Sequence, residues 1–546
     1  MDYYKNNDKF KNPIIRGFYP DPSICRVGED YYLVNSSFEY FPAIPVWHSK
    51  DLVHWEQICN AINRKEQNLN LDEEVICSKG IQACTIRYHN GTYYIISTCL
   101  RKEWPHTNCH FIITAKDPKG PWSELHRIEG AGGIDSSLFF DDDGKAYFQA
   151  NRDAIEPKFE GDTEIWAQEI DLENFKLIGE SHALWKGCGG HYPEGPHIYK
   201  RNGYYYLLIA EGGTCHYHSV TLARSEHVFG PYTMMPRNPL LTHRHLHRTY
   251  PIQNVGHADI VETQNGEWYM VCLGSRPRGG FYNGGNTIYT YGGYYRNLGR
   301  ETFLLPMVWE DDYGPICSPL TGRVEMEYEL PNLPKHTFKA LPSCIKFDND
   351  KLDIRLCTVR NEGLDFFTLN KEDKVLRMKM SKDNINTYGD VSILGIRQTS
   401  WNYSASTNLR TRLDEEETTG ISLYMNFETH ARMFIEKEKN KLLLKVIKSD
   451  HAKEELLASL DITEREEDIR TRGLTLYIEQ DTEDVKFYYG FNSSEAIEVC
   501  NLDARYLSTD LAGGHTGCFI MLFANSNNKE SLNHVDFDYL EFKELD

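Results

Sequence analysis

Three carboxylates and one histidine occupy matching places in a chain that repeats itself, and together they could perform acid–base chemistry. Asp21 stands in Phe18-Tyr19-Pro20-Asp21-Pro22-Ser23, Asp135 follows Gly130-Ala131-Gly132-Gly133-Ile134, Glu194 lies in Tyr192-Pro193-Glu194-Gly195-Pro196, and His257 in Gly256-His257-Ala258-Asp259. Each precedes an apolar anchor (Ile24, Leu138, Ile198 or Ile260) by three or four residues, and Ala83 holds that place before Ile86. Two carboxylates across a cleft, one ionised and one protonated, are what hydrolysis of a glycosidic bond needs. One activates water or attacks the anomeric carbon while the other protonates the departing oxygen. A third carboxylate nearby raises the pKa of the acid, because adjacent negative charges oppose a further ionisation. For Asp21 taken alone, a turn aspartate capping its own backbone is an equal account.

Residues so far apart need a fold that gathers them. Aligned on Gly28, Gly91, Gly144, Gly203 and Gly266, the chain shows five copies of one pattern with a period of about 60 residues. Four copies carry Asn-Gly or Asp-Gly between β-rich aromatic runs, the strongest local hairpin signal, in which both central residues take positive φ. A second element repeats in the same frame: Ala115-Lys116 through Gly120-Pro121-Trp122-Ser123 returns as Ala223-Arg224 through Gly230-Pro231-Tyr232-Thr233. Hairpin repeats of this length predict a five-bladed β-propeller over roughly the first 315 residues. The first strand of each blade lines the axis, so Asp21, Asp135, Glu194 and His257 should meet at the mouth of the channel.

At 546 residues the chain is too long for one core. The propeller repeat stops before a proline-rich stretch, Pro331-Asn332-Leu333-Pro334 to Pro342. We therefore expect a propeller over 1–325, a linker over 326–345 and a second domain over 346–546. Alternating runs at 392–399, 405–413, 420–427, 432–448, 474–479, 485–489, 519–524 and 535–542 predict a β-sandwich, and the chain as a whole is all-β.

Composition narrows the ligands. With 59 basic and 80 acidic residues the formal charge is −21, which repels nucleic acid and anionic membrane and favours a neutral or cationic ligand. The 34 tyrosines and 9 tryptophans beside carboxylates suit sugars, although packing accounts for most of them. The 14 cysteines lack zinc or redox spacing and are expected as buried or half-buried thiols. His243, His245 and His247 alternate in what reads as an exposed loop rather than a metal site. No stretch approaches a membrane span, and the first residues have no apolar leader core. A cytoplasmic location is the expectation, or a periplasmic or secreted one where a leader has been removed. The Gly- and Tyr-rich segment from Gly279 to Gly293 suits a pocket wall, and Arg300 points into that pocket or pairs with a surface acid.

The motifs around Asp21, Asp135 and Glu194, with Gly256-His257-Ala258-Asp259, Leu298-Gly299-Arg300-Glu301-Thr302 and Ser392-Ile393-Leu394-Gly395-Ile396-Arg397-Gln398, resemble glycoside hydrolase family 43 in order and spacing. They are similar to its β-xylosidase and α-L-arabinofuranosidase branch with a C-terminal, concanavalin A-like β-sandwich. The resemblance implies an inverting, exo-acting enzyme with Asp21 as general base, Glu194 as general acid and Asp135 as the residue that tunes and orients the acid. It further implies that Phe38 lines the sugar pocket, that His257 sits at its floor, that Arg300 contacts the terminal sugar and that His515, on a glycine-flanked turn of the sandwich, reaches the pocket in place of a phenyl ring. One position departs: where xylosidases of this branch often have Ile-Trp-Ala-Pro, this chain has Ile81-Gln82-Ala83-Cys84, so Gln82 changes the subsite wall and weakens xylose against arabinofuranose.

The expected substrate is a small plant hemicellulose oligosaccharide, with β-D-xylosidase ahead of α-L-arabinofuranosidase. A non-catalytic carbohydrate-binding propeller and an endo-arabinanase are the alternatives. No cofactor is required on this reading, a structural calcium near His257 is compatible with it, and so is a homo-oligomer.

Overall fold

The computed structural model describes residues 8–545 apart from 73–74, 103–108, 248, 279–294, 311, 361, 363 and 492–495. The expected pocket-wall segment from Gly279 to Gly293 therefore lies outside the described residues. Five antiparallel sheets follow one another along the chain, each in simple up-and-down order. Their innermost strands are Ser23–Val27, Gly80–His89, Ile134–Phe140, Glu194–Arg201 and Gln253–Glu262, here the first strands of blades 1 to 5. The alternation of turn and aromatic run thus reports one blade per repeat.

The turns differ in detail from the expected pattern. Asn90-Gly91 and Asn202-Gly203 have positive φ at both residues, as a two-residue hairpin with the right-handed twist requires. At Asp143-Gly144 and Asn265-Gly266 only the glycine is left-handed. There the loop is longer: the Asp141 N–H donates to the Lys145 carbonyl and the Thr263 N–H to the Glu267 carbonyl, each spanning a turn closed by the glycine N–H.

The ring is held at its axis by polar contacts that pass from blade to blade. Ser23 Oγ donates to Asp259 Oδ2 at 2.7 Å and accepts the Ile86 N–H at 3.1 Å, linking blades 5, 1 and 2. Thr85 Oγ1 donates to the Ser136 carbonyl at 3.2 Å, and Ser137 Oγ to the Pro196 carbonyl at 2.5 Å. Tyr199 hydroxyl bonds Asp259 and accepts the Ile260 N–H at 3.1 Å, which completes the circle. At the centre the Arg87 guanidinium pairs with Asp259 at 2.8 Å, and Asp259 is fully buried. Its carboxyl is held well below the usual range: burial alone would raise it, but Arg87, His197 and the bonds from Arg87 and Tyr199 outweigh that.

Removing one member of such a pair leaves an uncompensated buried charge, which costs about 3–5 kcal/mol. Asp259→Ala should therefore lower the unfolding midpoint in urea sharply, and a loss below about 1 kcal/mol would show that the pair does not close the ring.

The first blade is also sealed to the last. Lys9–Lys11 pairs with Glu327–Glu329, and the Asn12 side-chain amide both donates to the Leu304 carbonyl at 2.9 Å and accepts its N–H at 3.0 Å.

Beyond residue 343 the chain forms two large antiparallel sheets packed face to face over an apolar core that includes Leu394, Leu423, Leu476, Phe487, Leu522 and Phe537. The eight expected runs fall on strands at Ile393–Arg397, Tyr403–Thr411, Thr418–Tyr424, His430–Glu438, Lys441–Asp450, Leu474–Asp481, Asp484–Gly490, Phe519–Asn525 and His534–Glu544. Further strands at Lys453–Asp461 and Ile497–Asp503 lie at sheet edges.

The sandwich is fused to the propeller through an apolar seam. Phe18, Phe38 and Tyr40 pack against Val359, Ile393, Tyr424, Phe519 and Met521. Tyr40–Phe41 also pairs as a short strand with Thr358–Val359, and Arg397 Nε donates to the Phe18 carbonyl at 2.8 Å. These contacts decide which side of the propeller mouth the second domain covers.

Two smaller expectations are corrected. His243 is buried, not on an exposed loop: its Nδ1 bonds the Ile252 carbonyl at 2.7 Å and its Nε2 accepts the Val324 N–H at 3.0 Å, so both ring nitrogens serve the backbone. Among the cysteines Cys188 is exposed, while the others are buried or half-buried and free.

Candidate active site

The inner strands of blades 2 to 5 share one local distortion near their start. The register shifts between Gln82 and Thr85, Ile134 and Ser137, Glu194 and His197, and Gly256 and Asp259. A bulge of this kind re-aims side chains at the rim of a sheet. Within it one residue is left-handed: Ala83 at φ 47°, Asp135 at 58°, Gly195 at 59° and His257 at 45°, with Asp21 at 51° just ahead of blade 1. Non-glycine residues pay of order 1 kcal/mol or more for that conformation and cluster at functional sites.

This register refines the alignment. The blade 4 counterpart of Asp21 and Asp135 is Gly195, and Glu194 sits one residue earlier. A side chain at Gly195 would be crowded, since its Cβ would stand 3.1–3.2 Å from the His257 ring. Glu194 therefore enters the site from a different backbone position, with one more methylene than an aspartate.

Asp21, 5% exposed, receives a bond from Ser36 Oγ at 2.6 Å and an ion pair from Arg300 at 2.9 Å. Burial would raise its pKa, but Arg300, His257 and the Ser36 bond together hold it below the ordinary aspartate value. Asp135 accepts the Gly195 N–H at 3.0 Å, and its pKa is raised to about 6 by burial and by Asp21, with His257 opposing. Glu194 is raised well above the ordinary glutamate value, first by burial and then by the charges of Asp135 and Asp21. The three carboxyls are thus close enough to bias one another, and their environments push Asp21 and Glu194 in opposite directions. Carboxyls whose surroundings push them apart in this way have the character that a base and an acid need to work side by side.

Arg300 is buried and faces inward, which resolves the choice left open by the sequence. Besides Asp21 it donates to Thr214 Oγ1 at 3.3 Å and to the His515 carbonyl at 3.3 Å. Phe38 is 2% exposed within the interdomain seam, with the Arg300 guanidinium 5.5 Å from its ring centre. His257 lies against Gly195 within reach of both aspartates. Gln82 is half-buried and its amide donates to the Ser78 carbonyl at 2.9 Å, which ties it to the preceding loop.

His515 comes to the propeller mouth from the sandwich. Its N–H donates to Ser78 Oγ at 2.9 Å and its carbonyl accepts from Arg300, while the residue itself stays exposed at the mouth. With Thr214, Arg296, Arg300 and the turn from Thr509 to Gly514 it lines a cavity of about 280 Å³. A buried ion pair between Arg296 and Asp510, at 3.0 Å, fastens that turn to the propeller.

Several supporting residues gave no sequence signal. Ser36 orients Asp21 and also accepts the Ala83 N–H at 2.7 Å. Glu211, buried, accepts the N–H groups of Cys188 and Gly190 at 2.7 and 3.0 Å and so shapes the loop that leads to Glu194. Glu301, beside Arg300, is fully buried and paired with Arg276 at 2.7 Å. Each is an ordinary acid or serine whose partner is distant in sequence. Among the described residues no group of three or more His, Cys, Asp and Glu side chains is placed to hold a metal ion.

A five-bladed propeller with carboxyls of opposed ionisation at one end of its axis, joined to a sandwich that reaches the same end, defines a glycoside hydrolase. Residues 10–315 match the model for glycosyl hydrolases family 43, and residues 344–543 that for the β-xylosidase C-terminal concanavalin A-like domain, so the chain belongs to that family. It is 41% identical to a xylosidase/arabinosidase of Butyrivibrio fibrisolvens, over 98% of this chain and 99% of that one. A non-reducing end α-L-arabinofuranosidase of Bacteroides ovatus is 35% identical over 98% and 95% of the two chains. Among solved structures, xylan β-1,4-xylosidase from Bacillus halodurans superposes with a TM-score of 0.89 at 31% identity, covering 98% of this chain and all of that one.

Proposed function

We propose that this chain is an exo-acting, inverting pentosidase that releases a terminal β-D-xylose, and as a second activity α-L-arabinofuranose, from the non-reducing ends of hemicellulose oligosaccharides. The observation that carries the proposal is the convergence at one mouth of the axis of Asp21, paired with Arg300 and Ser36, and Glu194, beside the Gly195 N–H that Asp135 holds, in surroundings that push the two carboxyls in opposite directions. In this reading Asp21, kept ionised by Arg300 and Ser36, takes a proton from water as the water attacks the anomeric carbon. Glu194, kept protonated by burial and its acidic neighbours, gives its proton to the departing oxygen. Asp135 sets the second condition through its charge and holds the Gly195 N–H beside the acid. Arg300 and His257 are left to bind the terminal sugar.

The exo reading is supported by the second domain, whose turn at His515 meets Ser78 and Arg300 and so narrows one side of the mouth. The second activity is favoured by Gln82, which stands where a stacking tryptophan would select xylose. A panel of aryl β-D-xylosides and α-L-arabinofuranosides tests the whole proposal. Turnover of both, with the xyloside ahead, is expected; turnover of neither would remove it.

The role of Asp135 has its own test. Glu194 must be protonated to act, so the alkaline limb of the pH–rate profile follows its pKa. Asp135→Asn removes a negative neighbour, the Glu194 pKa falls, and the alkaline limb should move to lower pH. An unchanged limb with full activity would place Asp135 outside the acid's surroundings.

A further inference from the structure

Glu39 is an acid that the hydrolytic steps do not use, and the fold buries it almost completely, at 4% exposed. Burial raises its carboxyl to about 7, against the opposing pull of its hydrogen bonds and of Arg360. A carboxyl kept out of water at that cost needs a polar partner. The partner is Ser78, just before the first strand of blade 2, whose N–H lies 3.2 Å from both Glu39 oxygens.

Three parts of the pocket meet at Ser78. Its N–H goes to Glu39 on the blade 1 loop, its hydroxyl accepts the His515 N–H of the sandwich at 2.9 Å, and its carbonyl accepts the Gln82 amide of blade 2 at 2.9 Å. Ser78 takes φ 61°, a left-handed state that a residue with a side chain holds only where its surroundings fix it. Those surroundings are tight. The Phe38 N–H donates to the Ile81 carbonyl at 2.8 Å, and the Ile81 N–H returns a bond to the Phe38 carbonyl at 3.1 Å. A Cβ on Gly80 would stand 2.4 Å from the Phe38 carbonyl oxygen, and one on Gly514 would stand 2.5 Å from Ser78 Oγ.

His515 is bonded on both sides of its backbone. While its N–H goes to Ser78, its carbonyl accepts from Arg300, which pairs with Asp21 at 2.9 Å. A shift of Ser78 would reach the sandwich turn, Arg300 and Gln82 together, whereas Asp135 and Glu194 stand on blades 3 and 4. We infer that Glu39 is a positioning residue that fits the pocket to its terminal sugar: its carboxylate sets Ser78, and Ser78 sets both the Gln82 wall and the His515 turn. The inference rests on the pentosidase reading of the same pocket.

Two variants divide this chain of contacts. Glu39→Gln keeps the size but replaces one acceptor oxygen by an amide NH2 beside the Ser78 N–H. Ser78→Ala keeps the backbone bonds to Glu39 and Gln82 and removes only the acceptor of the His515 N–H. In both, amide hydrogen exchange of the peptide that carries His515 should quicken about fivefold or more. The ratio of kcat/KM between an aryl β-D-xyloside and an aryl α-L-arabinofuranoside should move about threefold or more, through KM, with kcat within about twofold of wild type. The double variant should match Glu39→Gln alone, because the two residues act in series. A general structural defect would lower the active fraction, cutting kcat alike on both substrates and leaving KM and the ratio where they were. That result would overturn the inference, as would unchanged exchange at His515 in Glu39→Gln. If the wild-type protein turns over neither substrate, the pentosidase reading fails, and the exchange at His515 still decides whether Glu39 holds the turn.

Discussion

Replacing Glu194 by glutamine is expected to slow hydrolysis of a pentose disaccharide by about 10²–10⁴-fold, the usual loss for a missing general acid. Glutamine keeps the size and the burial but has no proton to give. The loss should shrink as the leaving group improves, because a dinitrophenolate or fluoride departs without help. The alkaline limb of the pH–rate profile should vanish with it, since the group whose raised pKa sets that limb is gone. Activity within tenfold of wild type on the disaccharide would take Glu194 out of the donor's role.

Asp21→Asn should be at least as damaging, by about 10³-fold or more, and it should behave differently. A better leaving group does not help when water is no longer activated, so the defect should be the same on fluoride and disaccharide. The substitution also removes the partner of Arg300, so thermal unfolding is measured alongside to confirm that the variant is folded. Selective rescue by a good leaving group would mean that the two carboxyls have exchanged roles.

Much of this site could be read from the chain because a propeller repeats its geometry. One glycine per turn placed the five hairpins, and counting back from the apolar anchors reached Asp21, Ala83, Asp135 and His257, which share one left-handed backbone state. Blade 4 is where counting is ambiguous. Gly195 takes the left-handed place against His257 and Glu194 stands one residue before it, a distinction that depends on the bulge and not on composition.

What the sequence did not disclose is mostly long-range. Asp259 looks like any aspartate in an apolar run, yet it gathers Ser23, Arg87 and Tyr199 from three other blades. Glu211 and Ser36 act through backbone N–H groups, which leave no residue signature. The strand Lys453–Asp461 reads Lys-Glu-Glu-Leu-Leu-Ala-Ser-Leu-Asp, a helical composition that pairing with Lys441–Asp450 overrides at the sheet edge. The apolar seam between domains was hidden because Phe18 reads only as part of the Asp21 motif and Phe38 as a pocket residue.

The most direct test of the account is the anomer first released by the wild-type protein, followed by proton NMR from a β-D-xyloside before mutarotation equilibrates. Asp21 acting on water opposite Glu194 predicts that α-xylose appears first and β-xylose only later. Initial release of β-xylose would mean a covalent intermediate with retention and would contradict the assignment of Asp21 as a base.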